Sequence, residues 1–449
     1  MQEQLFTTFF HHAPPGLDVD AIRAQWSALR PPYDVRQWVL PLPLWAKRPY
    51  DDSGAQAWGQ LRQELTQADH DKPFCLYLHI PFCASKCHFC DCYSFKLGAY
   101  QEQHIQRYVD QLCAELRLWS QQGNLHRCPV STVHLGGGTP TFIGAAALEQ
   151  VATCCRDCFA VSDATEWALE STVADLTPTM IRVMDDLGFR RLHLGVQSLQ
   201  PDIRAAIGRR RPSAEVLQRI ADTLALGWVV SVDMVCGLPG QTLAGWVADL
   251  HTLLAAGVDG VSLYELLVYP QNQKWAAQQG LTKPDRHVTN YFLFQAGAAL
   301  LAAHGFGKNL FNHWANGRDA NVYFTFPTRH EDCLAVGTIG DGVFGQYHYR
   351  HGRYAAYLRA DMTQQPGLEG GLRRTAVENA LQPLTTAVLA GTIPPALLPA
   401  LQRATAHSAT LQAQWQSAAL ITPDASGGFT LTPNGAWFAG NMLGDMLVV

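Results

Sequence analysis

The sequence predicts an α/β fold: an incomplete (β/α)6 parallel barrel with an N-terminal extension and a small C-terminal α+β domain. Three observations lead there: six short apolar runs in mid-chain, a helical apolar period following each, and a change of pattern beyond residue 300. Alternating strands and helices imply a parallel sheet with right-handed crossovers, and six units rather than eight leave the barrel open.

The runs are FCLYLHI (74–80), TVHLGGG (132–138), WALEST (167–172), RLHLGVQ (191–197), VVSVDMVCGLP (229–239) and VSLYELLVY (261–269). Between the fourth and fifth, Val216, Leu217, Ile220 and Leu224 share one helical face, and Gly227 stands where a left-handed C-terminal cap belongs. In such sheets ligands bind beyond the carboxyl ends of the strands. The cysteine-rich stretch 83–92, GGGTPT and Gln197 all end or follow strands, so the chemistry is expected on one face.

Pro and Gly thicken at 13–16, 31–43 and 366–371. The expected organisation is an N-terminal extension (1–70), a partial barrel (71–300), a segment capping the barrel mouth (301–365) and a helical, winged-helix-like domain (366–449). The hairpin pattern AALITPDASGGFTLTPNGAWF suggests the wing. A DNA-reading wing is normally basic, whereas this segment sets Arg373, Arg374 and Arg403 against Glu369, Glu378, Asp424 and Asp445, so the wing is read as structural.

Hydrophobic residues at 47% and charged residues at 16% fit a globular chain able to build its core without cross-links. Lys plus Arg total 33 against 38 Asp plus Glu, a net charge of −5 that argues against nucleic acid as a partner. The start, MQEQLFTTFFHHAPPG, lacks the basic region and long apolar run of a signal peptide, and no window approaches the roughly 18–20 apolar residues of a membrane span. A cytoplasmic location is expected, where thiols stay reduced and clustered cysteines bind metal or catalyse.

Cys83, Cys87 and Cys90 have the spacing C-x3-C-x2-C. Zinc ribbons pair two C-x2-C knuckles, and no second knuckle follows. A cubane iron–sulfur cluster ordinarily takes one thiolate per iron, so a loop offering three leaves one iron open to a ligand. Cys92 offers a fourth thiolate, although C-x-C spacing strains a cubane. Cys154, Cys155 and Cys158 fall in a helical pattern, where cysteine packs as a small hydrophobe; an auxiliary cluster there lacks a fourth ligand nearby in sequence. The run Gly136–Gly138 lets a cofactor approach the backbone, or else forms a tight strand-to-helix turn before Pro140. Taken alone, Glu170 reads as an exposed ion pair and Arg209–Arg211 as a solvated charge run.

YLHIPFCASKCHFCDCYSF resembles the signature of radical S-adenosylmethionine (SAM) enzymes, in particular the oxygen-independent coproporphyrinogen III oxidase family with its Tyr-x-His-Ile-Pro-Phe-Cys lead-in. GGGTPT, LGVQS, VDMVCGLPGQT and SLYELLVYP carry the likeness in order across residues 74–360. The resemblance implies a barrel of the radical SAM type and a 4Fe-4S cluster held by Cys83, Cys87 and Cys90, whose remaining iron is chelated by SAM. It implies that Tyr77, Gly137 and Glu170 contact this SAM, with Leu267 contributing mainly through its backbone. It further implies that Phe89, Gly138, Thr139, Gln197, Arg209 and Asp233 hold a second SAM, and that a flavodoxin-like or other low-potential donor supplies electrons. The residue types suit: arginine forks onto a carboxylate, aspartate accepts from hydroxyls or an amine, and phenylalanine offers a stacking face.

FTTFFHHAPP, NHWA (312–315) and LTPNGAWFAGNML resemble most the heme-utilization branch, whose members degrade heme without oxygen. The His-Asn-x-x-Tyr-Trp segment of the heme-chaperone branch is not found, and Cys92 resembles the coproporphyrinogen oxidases more than the heme-degrading members. The function this implies is a radical SAM C-methyltransferase that opens the heme macrocycle anaerobically, giving a methylated linear tetrapyrrole and iron. The alternatives are a heme-binding trafficking protein and an oxygen-independent coproporphyrinogen III decarboxylating dehydrogenase. Residues 305–350, rich in Phe, Tyr, Trp and His, are the expected heme enclosure, with His313 as candidate contact for its iron or a propionate against the alternative of a core histidine. His11 and His12, adjacent on a helix, point apart and cannot readily share one iron.

Overall fold

A computed structural model describes the 449-residue chain apart from residues 1, 36–37, 68, 70, 99–100, 284–285, 405–407 and 447–449. Its strands are β1 (Asp52–Ser53), β2 (Phe74–Ile80), β3 (Val130–Gly137), β4 (Glu166–Ser171), β5 (Arg191–Gln197), β6 (Val229–Cys236), β7 (Gly260–Glu265), β8 (Gly307–Leu310), β9 (His313–Ala315), β10 (Asp332–Val336), β11 (Asp341–Phe344), β12 (Tyr347–His351), β13 (Leu368–Arg373), β14 (Thr392–Ile393), β15 (Ile421–Pro423) and β16 (Phe429–Leu431).

β2 to β7 lie side by side in sequence order and all parallel, each joined to the next through helix, as the alternating pattern implies. Side chains alternate between the two faces of each strand. Leu76 and Leu78 of β2, Val133 and Leu135 of β3, Leu192 and Leu194 of β5 and Val230 and Val232 of β6 are fully buried in the hydrophobic core, at about 1.5–3 kcal/mol for each such side chain. The alternates are polar: Tyr77 and His79, His134, Glu170, His193 and Gln197, and Asp233. The sheet thus pairs one apolar face with a polar one. The helix Ser213–Leu224 buries Val216 and Ile220, and Gly227 at φ +81° caps it.

Residues 301–365 were expected over the barrel mouth, and the structure places them differently. β9 pairs antiparallel with β7 and β8 with β9, while β10 pairs parallel with β2 and leads into antiparallel β11, β12 and β13. The segment therefore lengthens the sheet at both edges. The stretch between β9 and β10 lies at the amino ends of the parallel strands. There the Asp319 carboxylate accepts from Arg191 Nε at 2.8 Å at the start of β5, and Glu331 accepts from the Ser131 hydroxyl at 2.7 Å at the start of β3. A buried guanidinium at a strand start requires such a partner.

β14, β16 and β15 form a separate antiparallel sheet, and the helices Ala376–Ala390 and Ser408–Ser417 belong to the same C-terminal segment. Thr375 and Glu378 close a capping box on the first of these helices. Phe6, Phe10 and Trp26 of the N-terminal helices pack around Phe292 of helix Arg286–Ala303. Among the described residues no helix is long and apolar enough to cross a membrane.

A buried carboxylate ties the sheet extension to the barrel. Glu115, on helix Gln101–Ser120, accepts from Trp119 Nε1 (3.0 Å), the Tyr357 hydroxyl (2.7 Å), the Gly337 N–H (3.1 Å) and His351. Burial alone raises a carboxyl pKa, but the His351 charge and these hydrogen bonds outweigh it and hold Glu115 below its ordinary 4.5. Burial disfavours the imidazolium too, yet Glu115 lifts His351 above its ordinary 6.5. His351 thus adds stability that is complete below its unfolded pKa and lost as pH rises through the folded one. Glu115 adds stability present above its unfolded pKa and lost as pH falls through the folded one. Glu115→Gln is predicted to lower the unfolding free energy by about 3 kcal/mol at about pH 5.5, measured by urea denaturation, with a smaller deficit once His351 deprotonates. A deficit independent of pH would refute the ion pair.

Candidate active site

The loop after β2 turns back on itself and docks onto the end of β3 by main-chain bonds. The Gly138 N–H donates to Ile80 O at 2.7 Å and the Thr139 N–H to Phe82 O at 2.8 Å. The Cys83 N–H donates to Phe95 O at 3.1 Å and the Phe95 N–H to Pro81 O at 2.9 Å, closing the loop at its base. A Cβ on Gly138 would lie 2.5 Å from Phe82 O and 2.9 Å from Ile80 O, so only glycine permits this approach. Burial lowers the His79 pKa to about 4. Its neutral ring bridges the Tyr77 hydroxyl (3.1 Å) and the Tyr93 carbonyl (3.2 Å), bracing the loop from beneath.

A cleft of about 580 Å³ opens at these strand ends. Cys83, Cys87 and Cys90 line it, with Phe89, Gly137, Gly138, Thr139, Glu170, Gln197, Arg209 and Asp233. Cys83 is buried, Cys87 and Cys90 half-buried and Cys92 exposed, and all four are free thiols. Burial pushes the Cys87 thiol up, while a hydrogen bond from Cys92 brings Cys90 down to about 6. Among the described residues no three His, Cys, Asp or Glu side chains converge as they would around a single ion. A cubane spreads its thiolates over separate irons, so the two facts agree.

Glu170 ends β4 and accepts from the Gly137 N–H at 3.1 Å, with His134 Nε2 at 3.3 Å. Burial opposes its ionisation, but these two donors outweigh it and keep the carboxyl below its ordinary range. Gln197 ends β5 at φ +65°, a left-handed conformation that glutamine rarely adopts, with its Oε1 buried and unpartnered. Arg209 Nε is likewise buried without a partner, whereas Arg210 and Arg211 are exposed. Asp233 accepts from His193 Nε2 at 2.6 Å. Phe89 packs on the small cluster of Ile203, Ile207, Val235, Leu238 and Leu266, and its carbonyl accepts from Asn272 at 3.2 Å.

Three expected residues are not among those lining the cleft. Tyr77 lies on the polar face of β2, stacked on Tyr323, which stacks in turn on His134. Leu267 follows β7, its carbonyl taken by Asn272 at 3.0 Å. His313 is 1% exposed, with Ser262 on Nδ1 at 2.8 Å and Asp319 on Nε2 at 2.9 Å, so neither ring nitrogen is free for iron or a propionate. It belongs to the closed amino end of the barrel. Conversely, His193 and Gly195 were missed. A Cβ on Gly195 would fall 2.8 Å from the Gln197 amide and 3.1 Å from Arg209, so its hydrogen makes room for both. Their signal was the period-two alternation 193, 195, 197 along RLHLGVQ, which places all three on one face.

Six cations, Lys86, Lys96, Arg204, Arg209, Arg210 and Arg211, line the cleft against three anions, Glu170, Asp175 and Asp233. In a chain of net charge −5 this is a local reversal of sign that favours carboxylate ligands. Three thiols on a strand-end loop, a backbone cradle beside them and unpartnered polar atoms beyond it fit an iron–sulfur cluster with an organic ligand.

An open parallel barrel with a three-cysteine loop at its mouth defines a class, and comparison with known proteins agrees: residues 77–253 match the model of the radical SAM superfamily. Proteins of this superfamily use a 4Fe-4S cluster and SAM. The chain is similar to anaerobilin synthase of Escherichia coli O157:H7, 27% identical over 397 residues, covering 87% of this chain and 86% of that protein. It is also similar to the heme chaperone HemW of Synechocystis sp., 29% identical over 326 residues, covering 70% and 77% respectively. The structure superposes on coproporphyrinogen III oxidase (HemN) of Escherichia coli with a TM-score of 0.77 at 19% identity, over 92% of this chain and all of that one, which establishes the shared fold.

Gly138→Ala is predicted to displace the cysteine loop, at a cost of about 1–3 kcal/mol in unfolding free energy, and to lower the iron retained after reconstitution. Full iron content in a variant as stable as the native chain would refute the docking role of this glycine.

Proposed function

We propose that the protein is a radical SAM C-methyltransferase that opens the heme macrocycle without oxygen, giving a methylated linear tetrapyrrole and free iron. The observation that carries this reading is the gathering, in one cationic cleft, of the three thiols with a second set of ligand-binding groups beyond the glycine cradle. The likeness to anaerobilin synthase along most of both chains supports it.

Cys83, Cys87 and Cys90 are assigned to three irons of the cluster. The bound cluster and SAM supply reductive carbon–sulfur cleavage and a transferable one-carbon unit. Gly137 and Glu170 are assigned to the SAM on the cluster, with ionised Glu170 accepting from ribose hydroxyls, while Tyr77 and Leu267, which stand outside the cleft lining, are assigned to supporting it from behind. Phe89, Gly138, Thr139, Gln197, Arg209 and Asp233 are assigned to a second SAM. Arg209 offers its free Nε–H to a carboxylate, Gln197 its free Oε1 to a donor, and Asp233, oriented by His193, accepts from an amine. A low-potential donor such as a flavodoxin delivers electrons.

The likeness to a heme chaperone supports a second reading, a heme carrier that retains the cluster. One experiment separates them. Cluster-reconstituted protein is incubated anaerobically with heme, reductant and methyl-labelled SAM, and the tetrapyrroles are examined by mass spectrometry. The methyltransferase yields an open-chain product carrying the label, with SAM consumed in step with heme. A carrier returns unchanged heme, and coproporphyrinogen decarboxylation releases carbon dioxide without methyl transfer. Cys87→Ser is predicted to abolish cluster absorbance and all SAM cleavage; a full cluster in that variant would refute the ligand assignment. Asp233→Ala is predicted to lower methyl transfer at least about tenfold more than SAM cleavage, and equal losses would count against the second SAM.

A further inference from the structure

A second cavity, of about 590 Å³, shares no lining residue with the cleft. Loop 41–50, one face of β10–β12 and helix Ala376–Ala390 enclose it. His348 and Arg350 line it, while Tyr347 and Tyr349 alternate to the opposite face, where Tyr349 packs on Trp119. Leu42, Pro43, Phe326, Val343, Leu372 and Leu389 form apolar walls.

Several polar atoms in these walls are unmatched. Of the sixteen buried side-chain polar atoms without a hydrogen-bond partner among the described residues, four that also lack an ion-pair contact belong to residues of this cavity: Trp45 Nε1, His348 Nδ1, Arg374 Nε and Gln382 Oε1. Trp45 is only 4% exposed and His348 8%. The three other cations of the wall have carboxylate partners: Arg48 with Glu378 at 2.7 Å, Lys72 with Asp332 at 3.3 Å and Arg350 with Asp341 at 3.4 Å. Arg374 has none among the described residues. Its guanidinium lies 5.1 Å above the Trp45 ring and donates to the Gly345 carbonyl. A half-buried guanidinium with no carboxylate at ion-pair distance, reached by Asp332, Glu378 and Glu64 only from farther off, beside an unpartnered indole N–H and an apolar wall, is complementary to a carboxylate on an apolar body.

We propose that this cavity is a second binding site, for a carboxylate-bearing apolar molecule whose carboxylate is received by Arg374 and the Trp45 Nε1–H. Its independence from the cleft makes the inference independent of the function proposed above. Two sources share this chemistry, a tetrapyrrole propionate and a long-chain fatty acid.

The test is equilibrium titration of the cluster-reconstituted full chain with protoporphyrin IX, with its dimethyl ester and with palmitate. At least one free acid binds, and the ester does not. Arg374→Gln weakens that binding roughly tenfold or more, and Trp45→Phe, which removes only the N–H, weakens it several-fold. Arg209→Gln, in the cleft, leaves it unchanged. Binding of protoporphyrin alone assigns the site to propionates, and binding of palmitate alone to a lipid acid. Binding of neither acid, equal affinity of acid and ester, or binding unaltered in both Arg374→Gln and Trp45→Phe would overturn the proposal.

Discussion

The parallel pairing of β2 and β3 continues past the ends of both strands, and the site depends on that continuation. The Gly138 and Thr139 N–H groups donate to Ile80 and Phe82 carbonyls, which carries the cysteine loop over the barrel mouth and presses it against β3. The bond requires a backbone approach that no side chain at 138 permits. Once the loop is docked there, its other contacts can form. Phe95 stacks edge-on against Tyr354, the His88 N–H donates to Ile207 O at 3.3 Å, and Asn272 takes the Phe89 carbonyl. The three thiols are therefore positioned by contacts to four separate parts of the chain.

The two ends of the barrel are built differently. At the amino end, Arg191, Asp319, His313 and Ser262 are joined in a buried chain of hydrogen bonds, although Arg191 Nη1 has no partner among the described residues. Such a network holds the closing segment in one arrangement, because breaking any member strands a buried polar group. At the carboxyl end polar atoms are left unmatched, as at Gln197 and Arg209, and a strained backbone is tolerated at Gln197.

The barrel was legible because its signals are local. Apolar runs of strand length, glycines at strand ends and a cysteine spacing all show within ten residues, and the six strands begin and end within a few residues of those runs. Most of the residues that the resemblance of the motifs named then proved to line the cleft. What escaped depends on distant pairing. Nothing near 332–336 announces that β10 will join β2, some 260 residues earlier in the chain, so residues 301–365 read as a cap. His313 looked available because its partners, Ser262 and Asp319, are chosen by the fold. The second cavity was invisible for the same reason, since its walls come from the N-terminal loop, the sheet extension and the C-terminal helix.

The central claim is that one cleft serves the cluster and two molecules of SAM. Equilibrium dialysis of the cluster-reconstituted protein against labelled SAM, without reductant, counts them directly. The account predicts two bound per chain, falling to one in Asp233→Ala with the cluster intact. A native stoichiometry of one, unchanged by that substitution, would contradict it.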